Sequence, residues 1–334
     1  MKRRERVRRI VSGKEADRCG FWLGNPHPDS WAGIHKRFRT RSEEALRKKL
    51  QDDFRWMPPP NCYKDPQNRP FIYRMNKRKA VGSRGICADL ENVKDVNKIH
   101  FPNPDYLDFT EMKGVLKKAG DVYRAGGLWS PFFHEVADLF GMENYFMKMY
   151  AHPQVVHAVT RKIVDFYLEG NKRLFREAGK DLDGFFFGND LGTQIDLLIS
   201  PEAFREFVLP YFKELSDLAH DHGRQVILHA CGSVYKAIPY MIDIGVDALH
   251  PLQAKAANMD AETLAREFKG RIAFLGGIDT QNLLIQASPK KVKQEVRRVK
   301  RLLGPSLIVS PSHEAILPDV PPENIRAMAE AAVE

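Results

Sequence analysis

The C-terminal half of this chain alternates short apolar segments with longer amphipathic segments, and this alternation limits the folds that the chain can adopt. Five apolar segments have the length and the β-branched or aromatic content that is typical of strands. We predict strands at 185–188, 226–228, 246–249, 272–275 and 307–309. Since strands that alternate with helices pair in parallel, the pattern predicts a parallel sheet covered by helices.

The segments between these strands carry helix signals. The first helix is predicted to start after Ser200, with Pro201 at its first position and Gly223 at its end, which are the residue types favoured at those places. Further helices are predicted at 234–244, 261–268, 289–303 and 322–332. Before this repeat, we predict a strand at 122–125 and helices at 131–150 and 153–178.

These elements predict an α/β fold of the (β/α)8 TIM barrel type. The length of 334 residues allows two domains, but α/β barrels of this size occur as one domain. Closing a barrel requires three more strands, which we expect from the first half of the chain. An open, doubly wound sheet is the alternative, although no GxGxxG loop follows a strand to support dinucleotide binding.

The first 80 residues lack this regular pattern. Helices are predicted at 3–12 and 42–52, on either side of a loop at 19–31 that is rich in glycine, proline and aromatic residues. A proline-rich stretch follows at 57–70. We therefore predict an irregular, partly helical N-terminal extension at 1–80, packed on a barrel at 81–334.

Composition narrows the classes of function. No apolar run approaches 18 residues, and the basic N-terminus has no apolar region after it, so we expect neither a membrane span nor a secretory signal. The net charge is +9, but no nucleic-acid motif is present, and the basic cluster at 290–301 fits a solvated helix face. Four cysteines without a CxxC pair indicate a reducing cytoplasm rather than a disulfide framework.

Residues with chemical potential follow the ends of the predicted strands. His229 and Cys231 are two positions apart at one such end, where alternate side chains point the same way, so they form half of a possible zinc site. The other strand ends are followed by Asp190, by His250, by Gly276, Gly277 and Asp279, and by Ser312, His313 and Glu314. In α/β barrels the active site lies at the C-terminal ends of the strands, so we expect these residues to share one rim.

Each of these residues also fits a structural role. Asp190 and Asp279 could cap a loop or a helix, and His250 could be a buried histidine with satisfied nitrogens. Gly276 and Gly277 could form a tight turn that binds nothing.

The sequence around these strand ends resembles the uroporphyrinogen decarboxylase superfamily, specifically its branch of cobalamin-dependent methyltransferase-like proteins. The resemblance rests on FFFGNDLGTQIDLLISPEAFREFVLPYFKEL, AHDHGRQVILHACGSV, IGVDALHPLQ, FLGGIDTQNLL and PSHEAILPDVPPENI. It covers roughly residues 120–334 and implies a (β/α)8 barrel. Barrels of this superfamily often pair, which implies a possible homodimer.

The resemblance separates two chemistries. Uroporphyrinogen decarboxylases work without a cofactor and hold an acidic tetrapyrrole with an RQAGR-type arginine motif, whereas this chain has CGFWLGNPHPDSW in the similar place. Methyltransferases similar to methylcobamide:coenzyme M methyltransferases bind zinc through a His-x-Cys pair and a later cysteine before a proline-rich segment. His229 and Cys231 match the pair, and PDVPPEN matches the later segment, but the third cysteine is missing.

The resemblance therefore implies a zinc-assisted methyltransferase that works with a corrinoid. His313 or Glu314 would complete the metal site with His229 and Cys231, because zinc accepts nitrogen and oxygen as well as sulfur. Asp190 would orient the substrate or move a proton, and Gly276, Gly277 and Asp279 match a family motif expected to contribute to cofactor binding.

The partners of such an enzyme would be a corrinoid protein and a small methyl donor or acceptor. The corrinoid would come on a separate protein, since the chain has no DxHxxG-type cobalamin module. Two alternatives stay open: a metal-free decarboxylase of an acidic substrate, and a non-catalytic binder of a tetrapyrrole or corrinoid whose pocket is lined by the 21–31 loop.

Overall fold

A computed structural model describes residues 1–69 and 83–334 and has the predicted (β/α)8 barrel at its centre. Eight parallel strands form one sheet in the order β1-β8-β7-β6-β5-β4-β3-β2. The strands are β1 (Gly20–Phe21), β2 (Phe54–Met57), β3 (Tyr123–Gly126), β4 (Gly184–Gly188), β5 (Gln225–His229), β6 (Ala248–Leu252), β7 (Ala273–Ile278) and β8 (Leu307–Pro311). The nearly closed, all-parallel arrangement is that of a barrel and not of the open doubly wound sheet.

Helices cover the outside of the sheet. In chain order they are α1 (Arg3–Val11), α2 (Trp31–Phe38), α3 (Glu43–Lys49), α4 (Val93–Val96), α5 (Met112–Lys118), α6 (Phe132–Phe140), α7 (Met142–Ala151), α8 (Pro153–Ala178), α9 (Pro201–Phe207), α10 (Leu209–Asp221), α11 (Ile238–Asp243), α12 (Ala261–Phe268), α13 (Leu283–Gln286), α14 (Pro289–Leu303) and α15 (Pro322–Val333). No described helix is long and apolar enough to cross a membrane.

Two predicted helices are each divided in the structure. The helix predicted at 131–150 breaks at Gly141, whose φ of +82° is a backbone conformation that glycine adopts readily. The helix predicted after Ser200 breaks at Val208, because Pro210 has no N–H to continue the hydrogen-bond ladder. The predicted cap at Ser200 is confirmed, since its side chain accepts the N–H of Ala203 at 3.1 Å.

Helix α1 closes the amino-terminal end of the barrel. Its apolar residues pack among side chains inside the barrel, including Phe54 and Tyr123 at the starts of two strands. Arg4 donates to both oxygens of Asp183, directly before β4, and the side chain of Gln225, at the start of β5, donates to Arg8 O. Part of the basic N-terminal cluster therefore anchors a helix over the end opposite the predicted site.

The seam between β1 and β2 is held mainly by two buried carboxylates. Among the described residues, one backbone hydrogen bond joins the two strands, from Asp53 N to Phe21 O at 2.8 Å. Asp53 Oδ2 accepts from Phe21 N at 3.0 Å, and Asp52 Oδ2 accepts from Leu23 N at 3.2 Å. Hydrogen bonds to side chains thus connect β1 and β2, whereas backbone hydrogen bonds connect the other neighbouring strands.

The predicted division into an extension at 1–80 and a barrel at 81–334 is not what the structure has. Strands β1 and β2 lie before residue 80 and pair with β8 and β3. They are only two and four residues long, too short to show an alternating pattern, and β1 falls inside the segment predicted as a loop. The predicted boundary itself lies outside the described residues.

Candidate active site

Asp190, His229 and Cys231 come together at the carboxyl ends of β4 and β5. His229 Nε2 lies 3.1 Å from Asp190 Oδ1 and 3.3 Å from Cys231 Sγ. The Cys231 N–H also donates to Asp190 Oδ1, at 3.2 Å. We call these three residues the donor group, since they offer nitrogen, oxygen and sulfur atoms that all lie within 4.8 Å of one another.

His250, from the neighbouring strand β6, supports the other side of the His229 ring. The Nδ1 atoms of the two histidines are 2.9 Å apart, so one of them donates and the other accepts. His250 is fully buried, and burial together with the nearby charges of His229 and His313 lowers the pKa of His250 well below its usual value. His250 is therefore neutral, and its Nε2 has no hydrogen-bond partner among the described residues.

The protonation states in the donor group follow from its surroundings. Burial raises the pKa of Asp190, but the hydrogen bond and charge of His229 and the Cys231 N–H outweigh burial and lower that pKa below its usual range. Burial, followed by the negative charges of Asp190 and Glu314, raises the pKa of Cys231 far above that of a free thiol. Without a bound cation, Asp190 is thus a carboxylate and Cys231 a neutral thiol.

The spacing of the donor group fits a zinc ion. Zinc bonds of about 2.3 Å to sulfur and about 2.0–2.2 Å to nitrogen and oxygen place tetrahedral nitrogen–sulfur and nitrogen–oxygen pairs about 3.5 Å and 3.4 Å apart. The observed separations of 3.3 Å and 3.1 Å need to widen by only a few tenths of an ångström. The donor set is also one that zinc prefers, and the charge of a bound metal would oppose the burial and the nearby carboxylates that keep Cys231 protonated.

The late loop after β8 brings in Glu314 but not His313. Glu314 forms a second possible metal group with His229 and His250, all ligand atoms lying within 4.8 Å. His313 belongs to neither group among the described residues: its side chain is 46% exposed and its Nδ1 accepts from Ala315 N at 3.2 Å. The residue that lies with His229 and Cys231 is therefore Asp190, for which the sequence predicted substrate orientation or proton transfer, and metal binding by His313 or Glu314 stays a prediction.

A cavity of about 250 Å³, here called the central cavity, opens next to the donor group. Its lining comes from most of the strands or the loops that follow them: Trp22, Asn25, Trp56, Trp129, Phe186, His229, His250 and Glu314. Three of the four tryptophans of the chain lie here. Sequence reasoning missed them as a group, although each lies in or shortly after a barrel strand, which is the signal that could have found them.

Gly276, Gly277 and Asp279 lie outside the described lining of the central cavity. A Cβ on Gly276, which has a φ of +136°, would lie 2.5 Å from Leu252 N, so this glycine allows β6 and β7 to approach. Asp279 accepts the N–H groups of Gln281 and Leu283 at the start of α13. These local roles account for the motif, and its expected cofactor binding stays a prediction.

The fold and the strand-end cluster define an enzyme-type (β/α)8 barrel, with its polar groups at the carboxyl ends of the strands. Residues 84–334 match the family Uroporphyrinogen decarboxylase (URO-D). The chain therefore belongs to the uroporphyrinogen decarboxylase family, as its strand-end motifs predicted.

Relatives in this family carry two different names. A protein of Chlorobium phaeobacteroides named uroporphyrinogen decarboxylase is 27% identical over 62% of this chain and 57% of its own length. A methylated-thiol–coenzyme M methyltransferase of Methanosarcina mazei is 26% identical over 60% of this chain and 51% of its own length. The matched part thus spans little more than half of either relative.

A solved structure has the same fold. A methyltransferase from Methanosarcina mazei superimposes with a TM-score of 0.65, covering 100% of this chain and 98% of its own, at 17% identity. At that identity, the likeness establishes the barrel architecture.

Proposed function

We propose that this protein is a methyltransferase that moves a methyl group between a small substrate and a corrinoid carried by a partner protein. The observation that carries the proposal is the donor group, a mixed nitrogen, oxygen and sulfur set at the mouth of the barrel. A methyltransferase among the relatives supports the same reaction class. Membership in the family alone does not choose between methyl transfer and decarboxylation.

His229, Cys231 and Asp190 would hold a zinc ion. Zinc bound by three protein ligands supplies an open position at which a thiol, a water molecule or a substrate oxygen loses a proton more readily. His229 would use Nε2 toward the metal, so its Nδ1 must carry the proton and donate to His250. Such a partner on the far nitrogen fixes the orientation and tautomer of a metal-binding histidine.

The remaining lining residues would position the substrate. Trp22, Trp56 and Trp129 present a largely apolar wall that excludes water from one side of the reacting group. His250, neutral and fully buried, keeps His229 in place. In this arrangement the chain itself binds, orients and dehydrates the substrate, and the acceptor or donor of the methyl group approaches from the open mouth of the barrel.

Decarboxylation of an acidic substrate has less support in the site. The described lining of the central cavity contains no lysine or arginine to neutralise substrate carboxylates. At about 250 Å³ the cavity is also smaller than the roughly 300–1,000 Å³ typical of pockets for drug-sized ligands, which favours a small substrate over a whole tetrapyrrole. The same volume weighs against a binder that encloses a corrinoid there.

The test is metal content followed by methyl transfer. Protein purified without chelators is expected to contain about one zinc per chain. Cys231→Ser is expected to lose this zinc, because the substitution removes a sulfur ligand. His313→Ala is the matched control, and should keep its zinc because His313 lies outside the donor group.

The zinc-loaded protein is then mixed with cob(I)alamin and methylated compounds, and the visible spectrum is followed for methylcobalamin. Protein that binds no zinc when zinc is offered would remove the metal part of the proposal. Absence of methyl transfer from thioethers, methoxylated aromatics and methylated amines, together with release of CO2 from an acidic substrate, would replace it with decarboxylation.

A further inference from the structure

The walls of the central cavity form an aromatic cage made of Trp22, Trp56, Trp129 and Phe186. Phe186 lies among the three indoles, with ring centroids 5.9 Å from Trp22, 6.4 Å from Trp56 and 5.6 Å from Trp129. Trp56 and Trp129 meet at 5.5 Å with an interplanar angle of 67°, so their planes form a corner rather than a stack. Rings that meet at such angles surround a guest with π faces and edges.

Among the described lining residues, Glu314 is the one that carries a carboxylate. Glu314 Oε2 is buried and has no hydrogen-bond partner among the described residues; the nearby His313 Nδ1, 3.9 Å away, is itself an acceptor, from Ala315 N. The backbone of Glu314 is fixed, because its carbonyl accepts the N–H of Asn25 at 2.8 Å. The Glu314 side chain as a whole is 24% exposed, but its buried oxygen lacks a hydrogen bond, which is unfavourable for a charged carboxylate unless a positive charge comes close.

Electron-rich indole faces beside an unsatisfied carboxylate favour a cation with an apolar surface. Methylated ammonium and sulfonium groups have this combination, and aromatic cages recognise them through cation–π attraction. A neutral methyl ether or thioether would fill the same space without bringing a positive charge to Glu314. A carboxylate substrate would meet Glu314 as a like charge, and the described lining has no lysine or arginine to offset it.

We propose that the central cavity binds a methylated onium cation, and that this cation is the methyl donor of the methyltransferase proposed above. The substrate class rests on that proposed function, whereas binding of the cation does not. The three ligand atoms of the donor group remain available for zinc, although His229 also belongs to the second possible metal group with Glu314. Trp129, whose ring lies 5.1 Å from that of His229, connects the cage to the donor group.

The transfer step balances with a cobalt(I) corrinoid as acceptor. The carbon–nitrogen or carbon–sulfur bond breaks, and its electron pair stays on the heteroatom, which leaves a neutral amine or thioether. The new carbon–cobalt bond uses the electron pair of cobalt(I). Because the product has lost its charge, it also loses the attraction of the cage and of Glu314, which favours its release.

The first test compares two probes of similar shape that differ in charge, tetramethylammonium and tert-butanol, by isothermal titration calorimetry. Wild-type protein is expected to bind tetramethylammonium at least about tenfold more tightly, as cation–π attraction in a partly desolvated site predicts. Trimethylsulfonium, measured in the same way, shows which onium element the cage prefers. Equal affinity for tetramethylammonium and tert-butanol would overturn the proposal without any variant.

Variants locate the binding. Glu314→Gln, which keeps the shape of the side chain, and Trp129→Leu should each weaken tetramethylammonium binding about tenfold. The matched controls are Glu323→Gln, at an exposed pair with Arg37, and Trp31→Leu, on α2, and both should bind like the wild type. Circular dichroism confirms folding of each variant; Glu314→Gln alone decides if Trp129→Leu does not fold.

Unchanged affinity in folded Glu314→Gln would contradict the proposal. The outcomes also separate it from the proposed function. If the cation binds but no methyl group reaches cob(I)alamin, cation binding by the cage is confirmed and the proposed reaction is wrong. If methyl transfer occurs from neutral donors while onium cations do not bind, the reaction stands and the cage is wrong.

Discussion

Replacing Asp53 with asparagine tests the closure of the barrel between β1 and β2. The Asp53 side chain is fully buried and accepts from Arg6 at 2.8 Å, from Arg18 at 2.8 Å and from Phe21 N at 3.0 Å. Asparagine keeps the shape and one acceptor oxygen but removes the charge. Two guanidinium groups then lose their shared buried counter-charge.

The expected cost lies at the lower end of that for a broken buried ion pair. Removing one partner of such a pair costs about 3–5 kcal/mol. Arg6 retains Asp17 at 2.7 Å, and Arg18 retains the Cys19 carbonyl at 2.7 Å, so we expect about 3 kcal/mol by this principle. With an unfolding entropy of about 2.1 cal/mol/K per residue over 334 residues, this loss corresponds to about 4 °C in Tm.

Urea titration followed by circular dichroism measures the free energy of unfolding, and calorimetry measures Tm. The matched control is Asp17→Asn, which removes another carboxylate from the same Arg6. Asp17 is 39% exposed, so its loss should cost less than about 1 kcal/mol. The reasoning is refuted if Asp53→Asn lies within 1 kcal/mol of the wild type by this measure, or if the two variants cost the same.

Two further variants test other parts of the chain. Burial raises the pKa of Glu135 to about 8, so between about pH 5 and pH 8 the folded state holds a proton that the unfolded state has released. The free energy of unfolding should therefore fall over this range by up to about 1.4 kcal/mol per pH unit. Glu135→Gln should flatten this slope, which urea midpoints taken across the range would measure. Gly276→Ala would place a Cβ 2.5 Å from Leu252 N and should lower the free energy of unfolding by more than about 2 kcal/mol. The control Gly33→Ala, on a helix with nothing within 4 Å, should instead raise it by about 0.5–1 kcal/mol. A Gly276→Ala protein as stable as the wild type would show that β6 and β7 are not tightly fitted there.

The sequence predicted the elements whose signals are repeated along the chain. All five strands from β4 to β8 were found, and α8 has the predicted bounds of 153 and 178, because its apolar residues follow a helical stripe over 26 residues. β1 was missed because two residues have no periodicity, and β2 because its second residue is Arg55. Both strands exist because buried side chains and neighbouring strands hold them, and local patterns do not record such contacts.

The sequence predicted the part of the candidate site whose residues are close along the chain. His229 and Cys231 are close in sequence, so strand geometry alone places them together. The approach of Asp190, 39 positions earlier, requires the register of β4 and β5 to be known. His313 and Glu314 are adjacent in sequence, yet only Glu314 enters the cavity, since the direction of a side chain in an irregular loop has no sequence signal.

At the seam between β1 and β2, the width of the cavity mouth is not fixed by the constant spacing of paired strands. Paired strands lie about 4.8 Å apart whatever their side chains are. Trp22 and Trp56 stand on opposite sides of the seam, so the distance between these two walls depends on the contacts of Asp52 and Asp53. Substitutions at these two positions, in evolution or by design, could therefore change the width of the cavity while the other strand pairings keep their register.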